Sequence, residues 1–253
     1  MALKVGVTLH PQHCSTDDLR HAWEVADAMG VDTIWTWDHF YPLYGDRAGA
    51  HYEGWSLLAA MAVTTNRARF GMLVTCNSYR NPELLADMAR TVDHLSHGRL
   101  ILGIGAGWFE RDYVEYGYEF GTAATRLRAL RDALPRIKTR LSKLNPGPAG
   151  PLPILIGGGG EKVTLRLVAE HASMWNGFGP PDRYAHKNRV IDDWCAKVGR
   201  DPTEVERTAM VDESAADNLG QWAEAGAQHV IIGIGHPFDL DPVQRLLDAA
   251  AGR

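Results

Sequence analysis

Short apolar runs and longer amphipathic runs alternate eight times along this chain, and that alternation limits the fold more than any other feature. The apolar runs cover residues 4–8, 33–36, 68–75, 100–103, 154–156, 173–176, 206–211 and 229–234. Helix-like stretches follow each of them: from Ser15 or Thr16 to Met29, then residues 54–65, 82–95, about 124–141, 161–171, 182–198, 215–225 and 242–250. Parallel strands need crossover connections and helices usually supply them, so strict alternation points to a parallel sheet. Eight units are the number that closes such a sheet into a (β/α)8 TIM barrel, whereas an open doubly wound sheet more often has fewer. The punctuation agrees. Ser15 or Thr16 can cap the first helix with Asp17 and Asp18 in its first turn, Gly30 stands where a helix usually stops, and Pro82 opens another helix. The one Pro/Gly-rich connector, residues 145–151, is too short to separate domains, so residues 1–253 are expected to form a single barrel domain.

Composition narrows the function. Hydrophobic residues make up 45% and charged residues 23%, and the formal net charge is −5. With no basic excess to neutralise phosphates, a general nucleic-acid binder is excluded. Cys14, Cys76 and Cys195 are far apart, match no metal spacing and cannot all pair, which favours a reducing cytoplasmic setting. The amino terminus runs directly into a strand without the pattern of a signal peptide, and no window approaches the roughly 18 apolar residues of a membrane span. Residues 54–65 are apolar nearly all round (Trp55, Leu57, Leu58, Met61, Val63), so this helix is expected to be covered on both sides, as in a homodimer interface.

In a parallel barrel, chemistry is placed in the loops after the carboxyl ends of the strands. Asp38 and His39 follow the second strand; a histidine there can donate a hydrogen bond or shuttle a proton near neutral pH, or the pair can simply shape a turn. Gly103, Gly105 and Gly107 alternate across the end of the fourth strand and permit close approach of a ligand or of another backbone. They do not make a dinucleotide fingerprint, whose third glycine would fall at Trp108. Gly157, Gly158, Gly159 and Gly160 join the fifth strand to a helix expected to begin near Glu161, a setting in which backbone N–H groups can hold a phosphate. The close histidine pairs, His10 with His13 and His94 with His97, lack the patterns of a metal site, and none is expected.

Five stretches taken together carry a resemblance: WTWDHFYPL, GWSLLAAMAVTTNRARFGMLVT, YRNPELLADMARTVDHLSHGRLILGIGAGW, PILIGGGGEKVTLRLVAEHASMWN and CAKVGRDPTEVERT. The chain resembles the luciferase-like monooxygenases, and within them the F420-dependent oxidoreductases of actinobacterial type. The resemblance implies hydride transfer between the deazaflavin coenzyme F420 and a small organic substrate. It implies that Asp38 and His39 face the deazaflavin ring, with His39 as proton donor. Backbone contacts to the pyrimidine edge would come from Val74, Thr75, Cys76 and Asn77, a stretch expected to contain a non-prolyl cis peptide. Gly105, Ala106 and Gly107 would approach the cofactor, and Gly158, Gly159 and Gly160 would take its phosphate. Two departures stand out. Trp108 occupies a position where some F420 enzymes have glutamate, with Glu110 two residues on, and the segment 141–154 is short where relatives insert part of a lid. The alternatives are an FMN-dependent monooxygenase and a non-catalytic flavin- or deazaflavin-binding protein; a metal-dependent hydrolase is remote.

Overall fold

The alternating runs close into a barrel in the computed structural model, which describes residues 3–252. The ends of the expected domain, residues 1–2 and 253, lie outside the described residues. Strands β1 (Lys4–Leu9), β2 (Thr33–Thr36), β3 (Arg69–Met72), β4 (Thr75–Cys76), β5 (Leu100–Gly105), β6 (Ile154–Gly157), β7 (Met174–Gly177), β8 (Glu206–Val211) and β9 (His229–Ile234) form one sheet. Its hydrogen-bonded order is β3-β2-β1-β9-β8-β7-β6-β5-β4, every pairing is parallel, and a further pairing of β3 with β5 closes the circle. The segments β3 and β4 are two pieces of the third barrel strand. Residues 68–75 were expected to run continuously, but the strand is interrupted at Leu73–Val74, whose peptide bond is cis. Leu73 still donates to Thr36 O at 2.7 Å, whereas beyond it Thr75 and Cys76 pair with Ile104 and Gly105 of β5.

Alternate strand residues fill the two sides of the sheet. Trp35, Ile101, Leu155, Met174 and Ile231 pack together as one cluster, and a larger one including Val5, Val7, Ile34, Phe70, Leu102 and Ile156 packs with the helices.

Local chemistry fixes the helix ends. Helix α1 (Thr16–Met29) begins with a capping box in which Ser15 and Asp18 exchange side-chain-to-backbone bonds, and stops at Gly30 with φ 98°. Helix α2 (Gly54–Thr64) is capped by the Glu53 carboxylate, which accepts from the N–H groups of Trp55 and Ser56, and α3 (Pro82–Leu95) by Asn81. The rest of the ring is α4 (Glu110–Tyr116), α5 (Ala123–Lys143), α6 (Thr164–His171), α7 (Pro181–Val198), α8 (Ala215–Glu224) and α9 (Asp241–Ala251). Among the described residues no helix is long and apolar enough to cross a membrane.

Three local expectations change. Helix α4 is additional, because seven residues, about two turns, after a glycine-rich loop leave little periodic signal. Helix α6 starts at Thr164 rather than Glu161: Lys187 and His186 hold the Glu161 carboxylate, and residues 161–163 form turns. The short segment before β6 is present, but it sits at the amino-terminal end of the barrel. There Pro146 O accepts from Arg90, Gly147 O bonds His94 Nε2 at 2.7 Å, and Gly150 N donates to Asp93. These partners lie in the last turns of α3, so the length of this segment does not govern what covers the opposite end.

Candidate active site at the barrel mouth

An extended chain points successive side chains to opposite sides, and the residues leaving β2 follow that rule. Trp37 faces the mouth. Asp38 turns outward, 1% exposed, into a bidentate contact with Arg80 (2.6 and 3.0 Å), and accepts from Cys76 N at 2.9 Å. Arg80 also reaches Glu53 at 2.7 Å. Burial pushes the Asp38 carboxyl up from its ordinary range, and the guanidinium and the Cys76 N–H oppose that push. Asp38 therefore ties the end of β2 to β4 and to the caps of α2 and α3, and does not line the mouth cavity.

His39 turns the other way. Its Nδ1 lies 2.7 Å from Oδ2 of Asp112, a fully buried residue on α4. A carboxylate only accepts, so Nδ1 carries the hydrogen; Nε2 is bonded to nothing among the described residues and in the neutral ring holds the lone pair. Trp108 stands edge-on to the imidazole at 5.7 Å and is itself 63% exposed. The carboxylate beside His39 thus comes from position 112. Glu110, the acid nearest the strand end in sequence, is exposed in the first turn of α4.

Next to these residues a cavity of about 480 Å3 opens at the carboxyl ends of the strands, lined among others by His10, Trp37, Tyr44, Asn176, Met210 and Asp212. His10 stacks on Trp37 at 4.4 Å between centroids, and the Tyr44 hydroxyl bonds His10 Nδ1 at 2.7 Å. Burial lowers His10 to about 4 and raises Tyr44 to about 12, so at neutral pH this wall is uncharged and still offers hydrogen bonds. Trp37 is fixed from behind by its indole N–H, 3.0 Å from His51 Nε2.

The glycines gather on the opposite side. Val74 occupies space that a Cβ on Gly105 or Gly157 would enter, at 2.7 Å and 3.0 Å from its methyl carbons. Gly107 has φ 83°, and a Cβ there would collide with the Tyr113 hydroxyl. Of the other expected contact residues, Thr75 is fully buried, and Asn77 is buried in a short 3-10 turn. Cys76 directs Sγ to Tyr113 at 3.1 Å, where burial raises the thiol. Ala106, half-buried, lies between Gly105 and Gly107. So Val74, Gly105 and Gly157 converge, whereas the Cys76 and Gly107 side belongs to the packing behind them.

Gly158, at φ 116°, donates its N–H to Asn176 O at 3.1 Å, which joins the glycine turn to the cavity wall. Among the described residues no acceptor meets the N–H groups of Gly159 and Gly160. The Lys187 stem lies 3.7 Å from where a Gly159 Cβ would be, and Thr164 Oγ1 2.9 Å from that of Gly160. Open backbone donors with the Thr164 hydroxyl beside them form an anion cradle, and at its rim the Lys187 ammonium is paired with Glu161. His10, Tyr44, Asp112 and Lys187 were not singled out from sequence as site residues. Only position after a strand signalled His10 and Tyr44, and nothing local signalled Asp112 or Lys187.

Comparison with known proteins is consistent with this architecture. A family model described as luciferase-like monooxygenase matches residues 3–252. An F420-dependent glucose-6-phosphate dehydrogenase of Amycolatopsis mediterranei is 29% identical over 180 residues, covering 64% of this chain and 53% of that protein. Among solved structures, an F420-dependent secondary alcohol dehydrogenase in complex with an F420-acetone adduct superposes with a TM-score of 0.88 at 16% identity, over 99% of both chains. The coenzyme F420 dependent tetrahydromethanopterin reductase of Methanopyrus kandleri gives 0.78 at 16% identity, over 98% of both. At such identities the structural likeness carries the fold.

Proposed function

The chain belongs to the luciferase-like monooxygenase family, and from that premise we propose that it is an F420-dependent oxidoreductase acting on a small organic alcohol or carbonyl compound. The observation that carries the proposal is the anion cradle formed by the open N–H groups of Gly159 and Gly160, beside Gly158, whose own N–H is taken by Asn176. Through Asn176 the cradle joins a cavity lined by Trp37, whose ring His39 meets edge-on at 6.1 Å, and relatives that are themselves F420-dependent, in sequence and in structure, support F420. The donor set fits the group: open N–H groups, Thr164 and Lys187 suit the coenzyme's phosphate, and Val74, Gly105 and Ala106 leave a flat apolar side for a ring system. When bound, F420 supplies the two-electron hydride carrier.

The remaining work falls to the chain. His39 Nε2 takes the hydroxyl proton of an alcohol, or returns it to a carbonyl oxygen in the reverse direction. His10 and Tyr44 supply uncharged hydrogen-bonding groups for the substrate. The charges lining the cavity are Asp212 and Glu213, both carboxylates, so a phosphorylated substrate would find no counter-ion there and an uncharged one is favoured.

Quenching of tryptophan fluorescence tests the cofactor. Micromolar F420 binding with far weaker FMN binding is expected, and Lys187→Met should weaken F420 about tenfold or more, the loss of one charge-assisted contact. Preference for FMN would move the protein to oxygen-dependent chemistry, and binding of neither would end the proposal. Cofactor binding without turnover across a broad panel would leave a carrier protein.

The outer face of α2 supports a homodimer. Val63 is exposed, Leu84 and Leu95 of α3 are exposed beside a groove of about 460 Å3, and Trp55 Nε1 is buried there without a hydrogen-bond partner. Sedimentation should give twice the chain mass, and Val63→Glu with Leu84→Glu should give the monomer; a monomeric wild type at micromolar concentration would remove the dimer. A soluble cytoplasmic enzyme is the setting this reading implies.

A further inference from the structure

Asp112 lies on an element that sequence periodicity did not reveal, yet it is fully buried and every bond it makes converges on His39 or its immediate surroundings. Oδ2 accepts from His39 Nδ1 at 2.7 Å and from the Tyr79 hydroxyl at 3.1 Å, and Oδ1 accepts from the Phe40 N–H at 3.2 Å. One carboxylate therefore holds both the imidazole and the backbone immediately after it. Tyr79 remains a donor, because burial raises its phenol well above the ordinary value. Aromatic rings wall the group from water: Phe40 stacks on Tyr116 at 4.0 Å, and Tyr79 contacts Tyr113 and Tyr118, each at 5.2 Å. On the far side, Trp108 and Phe109 meet the imidazole edge-on at 5.7 and 5.4 Å. A histidine held this way cannot swing, and it cannot exchange its two nitrogens without leaving a buried carboxylate unmatched.

We propose that Asp112 is the positioning residue of this site: it fixes His39 as the Nδ1–H tautomer and so reserves Nε2 for the proton exchanged with substrate. The proposal rests on the reading of His39 as the proton-handling group. Asp112 touches neither substrate nor cofactor in it. Its contribution is that the imidazole presents a lone pair, and after accepting a proton an N–H, in one direction. A neutral amide at 112 no longer demands a hydrogen on Nδ1, and the wrong tautomer cannot accept a proton at Nε2.

Nitrogen-15 spectra of the histidine rings in the intact chain test this without a substrate. Wild type is expected to show His39 protonated at Nδ1 and bare at Nε2, whereas Asp112→Asn should lose that preference and populate the Nε2–H form. Turnover of Asp112→Asn should fall by about 10²–10⁴ with KM and F420 affinity changed less than about threefold, the range associated with a mispositioned general base. Asp112→Glu should recover at least a tenth of the wild-type rate. A purely structural Asp112 would lower the melting temperature and leave the tautomer alone, which overturns the proposal. So does a wild-type spectrum showing Nε2–H with Nδ1 bare, a result that needs no variant to fold. The two readings fail separately. Full turnover in His39→Ala removes the proton role itself and this proposal with it, whereas an inactive His39→Ala with the wrong wild-type tautomer overturns only the assignment of Asp112.

Discussion

Replacing Arg80 with methionine is expected to destabilise the protein by about 3–5 kcal/mol at pH 8, the cost of leaving one half of a buried ion pair without its partner. Asp38 is 1% exposed and the Arg80 side chain 9%, so water cannot take over from the guanidinium. Methionine fills much the same volume, which leaves charge as the main variable. The loss should shrink as the pH is lowered toward 5. Burial already raises the folded-state pKa of Asp38, and removing Arg80 raises it further. A carboxyl whose folded pKa lies above its unfolded one is penalised increasingly as pH rises between the two, and the penalty is absent once both states are protonated. Urea unfolding at the two pH values measures this directly. Removing both partners, as Arg80→Met with Asp38→Leu, should recover most of the stability. A single-variant loss below about 1 kcal/mol, or one independent of pH, would show that the pair does not hold the end of β2.

His39→Ala is expected to lower kcat by about 10²–10⁴ while F420 binds within a few-fold of wild type, because proton transfer by a positioned side chain is worth that much. The protein should stay folded: Asp112 keeps its bonds to Tyr79 and Phe40, and the space vacated opens toward the mouth. Steady-state turnover with F420 and an uncharged alcohol or ketone, alongside the fluorescence titration, separates the two effects. Unchanged turnover would remove His39 from the mechanism, and a lost cofactor site with it would assign the histidine to binding.

Much of the barrel could be read from the chain because its signals are local. Ser15 with Asp18, Gly30, and Asn81 with Pro82 mark helix ends within a few residues of themselves, and the apolar runs have strand length. The break in the third strand is invisible because Gly71-Met-Leu-Val-Thr-Cys76 holds no turn former at the break; Val74 there packs against Gly105 and Gly157, dozens of residues away. The site was legible in the same uneven way. His39 and the four glycines follow strand ends and could be nominated from that placement alone. The outward direction of Asp38 comes from a partner 42 positions later, and the carboxylate serving His39 is 73 positions away on a helix too short to show a period. Glu110, closer to the strand end, had the stronger sequence claim and lies on the exposed side of the same helix.

The way Val74 is received by Gly105 and Gly157 divides the mouth into a part that tolerates change and a part that does not. Any side chain at either glycine displaces Val74 and, through the adjoining Leu73, the wall of the pocket, so variants there will be scored as misfolded rather than as altered in selectivity. Tyr44, Met210, Asp212 and Glu213 line the same cavity from the other side and leave that wall untouched. Diversity introduced for a new substrate belongs at those four positions, and a library restricted to them should keep most of its members folded.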